Sequence, residues 1–305
     1  MQIRSLPLSR AWAWFLQAVN LGVRNPRAVF GAALLMVGTL TMLASGGSLL
    51  AGLLSAGGTP GTAALAMMLL TLVAVFMLVP VLIGGLMHVI RETEAGRPVH
   101  ARDLFAPFRS GHAGRLAAFG SLQIGVMALG TLITSQLAGS DYMAAYNEAV
   151  NAIVQQQQPA PLPAPAHPGL LFLWQIAFNY FTTTVLLLGI ALVALSGARF
   201  GASVFAAARA ALRNLGPNLL AAVLFFGAVM VAGLVLSVVG SVVLLVIGKL
   251  FAPLAVLLGM LLTFAFITAV LVVVCGGGYL IWRDTFGDEA APEPAPAPQS
   301  HRIEA

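Results

Sequence analysis

Asp103 is the residue of this chain best placed to do chemistry. It stands between Arg102 and an apolar Leu104-Phe105 pair, with Arg97, Phe108 and Arg109 near it in sequence. A carboxylate in that setting has two structural uses. It accepts the first backbone N–H groups of a short helix, or it pairs with a guanidinium in a charge-assisted bond. The alternative is that Asp103, Arg102, Phe105 and Phe108 form a contact for a ligand or a partner. His88, His100 and His112 come next, because imidazole is the commonest metal ligand. No cysteine and few acids accompany them, and their spacing fits no zinc pattern. No metal site is expected. A third group is uncharged. Pro80 has no N–H for the carbonyl of Phe76 and should kink its helix. Asn179 and Thr183 lie one turn apart and, with Pro80, are candidates for lining a cavity. Patterns for catalysis are missing: the chain has no Gly-x-Ser-x-Gly and no phosphate-loop lysine. The expectation is a protein that is not an enzyme and carries no cofactor.

The elements that position these residues follow from composition. Hydrophobic residues make up 59% of the chain and charged residues 8%, against about a quarter charged in a soluble domain. The apolar residues come in unbroken runs, several longer than the roughly 20 residues that cross a ~30 Å hydrocarbon core. Barrel strands would alternate over ~10 residues, and these runs do not. Helices satisfy their own backbone in lipid, so the expected fold is all-α, a polytopic membrane bundle. Six spans are read at 29–54, 62–90, 116–138, 170–195, 218–247 and 253–281. None contains Asp, Glu, Lys or Arg. Ion-coupled transporters usually carry ionisable groups there. The first run begins late and is too long for a cleavable signal, so it is expected to stay as a helix. Gly57 to Gly61 and the stretch 248–253 read as turns between paired spans. Cys275 is the single cysteine and lies in an apolar run, which excludes an internal disulfide.

Arginine fixes the expected orientation. The chain has fourteen Arg and one Lys, a bias that fits a GC-rich bacterial source. With six spans, every arginine falls on one side and Lys249 alone on the other. The positive-inside rule then places both termini and the Arg-rich connections in the cytoplasm of an inner-membrane protein. The arginines flank apolar runs singly or in pairs, so they point to membrane orientation and the lipid bilayer, not to nucleic acid. The outer connection 139–169 should hold one amphipathic helix continuing the third span, with Met143, Tyr146, Val150, Ile153 and Val154 on one face. A Pro-rich strap follows. It reads as a spacer, with a binding loop as the alternative. The integral membrane domain is placed at 1–283. The remainder, 284–305, is rich in Pro and Ala and is expected to be disordered.

The arginine-bearing segments share a grammar. Trp12, Phe15, Leu16, Val19 and Val23 lie on one helical face, followed by Arg24-Asn25-Pro26 and a span. Val204, Phe205, Ala208, Ala211 and Leu212 do the same before Arg213-Asn214, Gly216-Pro217 and a span. Leu104, Phe105 and Phe108 precede Arg109, Gly111, Gly114 and Arg115 in a shorter middle copy. This predicts three repeats of an interfacial helix plus two spans. Small residues at Ser121/Gly125, Gly233/Ser237/Ser241, Gly84-Gly85 and Gly276 to Gly278 mark expected packing faces.

The run Gly96-Arg97-Pro98-Val99, followed by Arg102-Asp103-Leu104-Phe105-Ala106-Pro107-Phe108-Arg109, resembles a loop of a family of uncharacterised proteobacterial multi-span membrane proteins. In that family the loop reads G-x-P-V … D-L-F-x-x-F. The opening Met1-Gln2-Ile3-Arg4, with Trp12 and Asn25-Pro26, is similar too. Pro107 stands where Gly is more usual. The resemblance runs to about residue 285 and implies a multi-span α-helical fold and no particular activity. Two functions stay open: a non-enzymatic scaffold or accessory protein, with a membrane-protein partner or a homo-oligomer, and a transporter or lipid-moving protein with a neutral pathway.

Overall fold

A computed structural model describes residues 3–55 and 61–287. Helix α1 spans Ser9–Asn20. The pair α2 (Pro26–Leu54) and α3 (Thr62–Glu94) follows. A 3-10 turn, Ala101–Phe105, leads into the single-turn α4 (Ala106–Arg109). Then come α5 (Ala113–Ala138), α6 (Ser140–Val154) and α7 (Pro168–Ser196). The last elements are α8 (Phe200–Arg213), α9 (Leu215–Leu250) and α10 (Ala252–Phe286). Six of these, α2, α3, α5, α7, α9 and α10, are long and apolar enough to cross a membrane. The chain is a multi-pass membrane protein of helices only among the described residues.

Each expected span is a helix, and each helix extends past the expected limits at one or both ends. The reason is local. Charged and capping residues that end an apolar run do not end a helix. Asn25 caps α2 by accepting from the N–H of Ala28 at 3.2 Å, with Pro26 at the first helical position. Glu92 and Glu94 continue α3 beyond its apolar stretch. Helix α10 runs through Arg283 and Asp284 to Phe286. The boundary expected at 283 is therefore too early, and Asp284, placed in the tail by sequence, belongs to the packed domain. Residues 288–305 of that tail and most of the Gly57 to Gly61 turn lie outside the described residues. Helix α3 continues through Pro80 unbroken.

The repeat takes a cyclic form. The second spans of the three units, α3, α7 and α10, touch one another and form an inner triangle. Each first span packs on its own second span and meets that of the unit before it, α5 broadly on α3, α2 broadly on α10, and α9 only slightly on α7. The short segments obey the same rule. Helix α8 lies against α7, the 3-10 turn and α4 against α3, and α1 against α10. The first unit thus closes onto the last. Met87, Leu187 and Gly278 meet at the centre of the triangle. A Cβ on Gly278 would come within 2.8 Å of the Met87 methyl and 3.6 Å of Leu187.

Packing is concentrated at the arginine-bearing end. Large buried side chains lie at Trp14, Met36, Leu82 to Ile90, Phe119 and Leu188 to Val193. Toward the other end the buried residues of the spans are small: Gly47, Ala51, Ala64, Gly130, Ala138 and Gly240. At least two of these sit in the seams of hairpins, Gly47 against Thr71 and Gly130 against Phe178. Along the same half of the spans Met42, Leu69, Leu132, Leu173, Leu234 and Leu257 are exposed. The molecule is three helical hairpins clamped together at one end.

Two sequence expectations change in detail. Helix α6 does not continue α5. Gly139 takes a positive φ of 86° and starts a new helix with no buried residue. The strap returns to α5, where the N–H groups of Ala166 and His167 donate to the carbonyls of Ala138 and Leu137 at 2.9 and 3.0 Å. The apolar faces predicted for α1 and α8 also prove to be largely their outward faces. Trp12, Leu16, Val19 and Val23 are exposed, as are Phe205 and Leu212. The buried face of α1 is Ala11, Trp14 and Ala18, and that of α8 is Ser203, Ala207, Ala210 and Ala211.

Candidate functional site

The charged residues at the clamped end gather around Asp284 at the end of α10, Glu92 and Glu94 at the end of α3, and Asp103 in the 3-10 turn. Asp284 is the most buried. Its Oδ2 accepts from Arg10 Nε and from Trp14 Nε1, each at 2.7 Å. Its Oδ1 accepts from Arg283 Nε at 3.2 Å. Helix α10 presents this acid because Tyr279, Trp282 and Asp284 fall on its buried side, with the ring planes of Tyr279 and Trp282 tilted across a 6.0 Å centroid distance. Arg283 points the other way. It donates to Gln17 Oε1 at 3.1 Å and pairs with Glu94 Oε2 at 3.5 Å. One dipeptide of α10 thereby ties α1 to α3.

Glu92 gathers the second cluster. Arg97 reaches both its oxygens, Arg91 donates from Nε and Nη2 at 3.2 and 3.1 Å, and His88 Nδ1 lies 3.9 Å away. The tight turn that lets Arg97 fold back passes through Gly96, at φ 68°.

Asp103 forms the third. Its Oδ2 accepts from the backbone N–H of His100 at 2.9 Å, and its Oδ1 accepts from Arg109 at 2.6 Å. These bonds, the backbone one foremost, hold its carboxyl below the usual carboxylate range. The turn is fixed to the bundle by Leu104, which is fully buried against Gly85 of α3. A Cβ on Gly85 would collide with the Leu104 carbonyl. Phe105 is half-buried against the core and Phe108 is exposed. Arg102 is exposed beside them, and the 3-10 turn carries it outward.

Arginines also close helix C-termini, where the last carbonyls lack intrahelical partners. Arg24 Nη1 donates to the Glu94 carbonyl at 2.9 Å, Arg91 Nη1 to Leu195 at 2.8 Å, and Arg115 Nη1 to Gly197 at 2.9 Å. The favourable sign of a cation at a helix C-terminus adds to each bond. In the third unit the amino-terminal strap supplies this contact. Arg4 N–H donates to the Thr285 carbonyl at 2.9 Å. Asn214 holds the strap, accepting from Leu6 N–H and donating to the Arg4 carbonyl, both at 2.9 Å.

No family model, no curated protein and no solved structure matches this chain.

Residues expected to line a cavity are not brought together. Pro80 is buried in α3, whereas Asn179 and Thr183 are exposed on α7. The Asn179 amide turns back to donate to the Gln175 carbonyl at 2.8 Å. A cleft of about 420 Å³ lies elsewhere, lined by Leu16, Gln17, Asn20, Leu21, Arg24 and Glu94. A second, apolar and about 510 Å³, runs between Phe15 and the α9 stretch from Val223 to Ala232. Neither contains Pro80, Asn179 or Thr183. Among the described residues, no three His, Cys, Asp or Glu side chains gather as a metal site. His88 and His100 each face one acid, and His112 precedes α5 near Gly197.

Sequence reasoning missed Asp284, Glu92 and Glu94. A signal was present for Asp284: an acid two residues after Trp282 at the end of a long apolar helix, with arginines on every other segment of the same side. Asp103 was singled out because its arginines are neighbours in sequence, while Arg10 and Asp284 are 274 residues apart.

Proposed function

We propose that this protein is a non-enzymatic scaffold or accessory protein of the bacterial inner membrane, with the arginine-bearing end in the cytoplasm. The observation that carries this reading is the use of the charged groups at that end. Asp284 and Glu94 pair with arginines of another helix, Arg10 and Arg283, and Glu92 and Asp103 pair with Arg97 and Arg109 within the connection that follows α3. The centre of the inner triangle is filled by Met87, Leu187 and Gly278, which favours a static clamp over a pathway for solute. Kinship with the uncharacterised family that carries the G-x-P-V … D-L-F-x-x-F loop is part of the proposal and adds no activity to it. The positive-inside rule supports this orientation, since the opposite one would require the arginine-rich connections to be translocated.

The test is affinity purification of the full chain from its native membranes. A membrane-protein partner recovered in fixed stoichiometry, or a defined homo-oligomer, is the expected result. A monomer without partner that drives solute or lipid flux in proteoliposomes would overturn the reading in favour of transport.

A further inference from the structure

Helix α8 differs from the other arginine-bearing segments in how it uses its charges. Its flanks and body, residues 199–214, carry Arg199, Arg209 and Arg213 and no acid. Among the described residues none of the three has an ion-pair or side-chain hydrogen-bond partner, and all three are exposed. The equivalent arginines of the other units, Arg24 and Arg115, are bonded to helix C-termini. In the third unit the strap holding Thr285 takes that place, and Arg213 is left over.

The spacing of the outward residues is the second observation. Phe205, Arg209, Leu212 and Arg213 stand at i, i+4, i+7 and i+8, on one face of the helix. Phe205 is 71% exposed and Leu212 64%. Beyond them Leu215 and Leu219 at the start of α9 continue the exposed apolar surface. The opposite face buries the small side chains of Ser203, Ala207, Ala210 and Ala211 against α7, with Phe200 edge-on to Phe119 at a 4.9 Å centroid distance, and the Tyr180 hydroxyl donates to the Ala211 carbonyl at 2.8 Å. The helix is thus fixed to the bundle by its inward face and presents an apolar and cationic face outward. Water alone leaves large apolar side chains beside the arginines unburied. An acidic protein surface would neutralise the charge and leave the same problem. An anionic lipid leaflet takes both, with phosphate at the guanidinium groups and acyl chains against Phe205 and Leu212.

We propose that the outward face of α8 binds anionic phospholipid, with Arg209 and Arg213 holding the headgroup phosphate and Phe205 and Leu212 lying among the acyl chains. This deepens the scaffold reading and rests on it only for the membrane around the clamped end. Its readout is lipid retention, and it stands or falls independently of any co-purifying protein.

The experiment uses the purified full chain in a non-ionic detergent. Binding of phosphatidylglycerol and of phosphatidylcholine is titrated by native mass spectrometry, with melting followed in parallel. The wild type is expected to prefer phosphatidylglycerol. The double variant Arg209→Gln/Arg213→Gln should weaken that binding by on the order of tenfold, while Lys249→Gln, the same kind of charge loss at the other end, leaves it unchanged. Arg209→Lys/Arg213→Lys should retain most of it and guards against a folding defect in the glutamine variant. Equal binding of both lipids by the wild type would overturn the proposal. So would full binding by the glutamine variant, or displacement of the lipid by millimolar inorganic phosphate, which would mark a small-anion site.

Discussion

Asp284 and Asp103 are both carboxylates among arginines, and their surroundings assign them different weights. Asp284 is nearly buried and satisfies the Trp14 indole N–H as well as a guanidinium. Its replacement by Ala leaves a buried donor and a cation without partners, which costs roughly 1–3 kcal/mol. Asp284→Ala is therefore expected to lower the melting temperature in detergent clearly, and Asp284→Asn by less, because one acceptor remains. Asp103 is more accessible, and its pair with Arg109 is worth about 0–1 kcal/mol. Its folded-state carboxyl sits below the usual range, so its contribution is complete above the ordinary carboxylate range. It is lost as pH falls through the depressed value. Asp103→Asn should change melting little at neutral pH and flatten the loss of stability below about pH 4. A variant that melts as the wild type does at every pH would show that the turn is held by Leu104 alone. These assignments were half legible. Sequence proximity exposes Asp103 and its arginines, but only the fold brings Arg10 and Trp14 to Asp284.

At the scale of elements, the apolar runs announce six helices because a 20-residue apolar stretch has no other stable state in lipid. How those helices pack is less visible. Gly84-Gly85 and Gly276 to Gly278 do mark close approaches, while Gly125 faces open space and Ser237 and Ser241 are exposed. A small residue permits contact, and the neighbour decides whether contact occurs. Gly85 and Gly120 are the sharper cases, since a Cβ there would strike backbone, that of Leu104 and that of Phe76 in α3. Backbone cannot move aside as a side chain tip can. Gly85→Ala and Gly120→Ala are each expected to cost about 1–3 kcal/mol by overpacking. Gly125→Ala should be neutral or slightly stabilising. Thermal melts of the three variants check this ordering, and equal melting of all three would reject the tight α3 contacts. The faces of α1 and α8 were misread for a physical reason. Both helices have apolar residues on two faces; alanines make up most of the inward face, with Trp14 bonded to Asp284 among those of α1, and most of the larger apolar side chains face outward.

At the scale of the whole molecule, the three units close into a ring at the arginine-bearing end, and the closing contact is α1 on α10. The repeat was readable from the recurring arginine and proline signals, but its cyclic order was not, because nothing local says which second span a segment will choose. The contact between Leu21 and Gly276 tests that order most directly. A Cβ on Gly276 would lie 3.9 Å from the Cβ of Leu21, within the roughly 3.5–4.5 Å that a disulfide requires. With Cys275 replaced by Ala, the pair Leu21→Cys/Gly276→Cys should oxidise in native membranes to an intramolecular disulfide, detected as a linked peptide by mass spectrometry. Gly248→Cys/Ala255→Cys serves as the reference, because a Cβ on Gly248 would lie 3.6 Å from that of Ala255 within the α9–α10 hairpin. Both pairs are expected to crosslink. A reference pair that links while Leu21→Cys/Gly276→Cys stays reduced would contradict the closed ring.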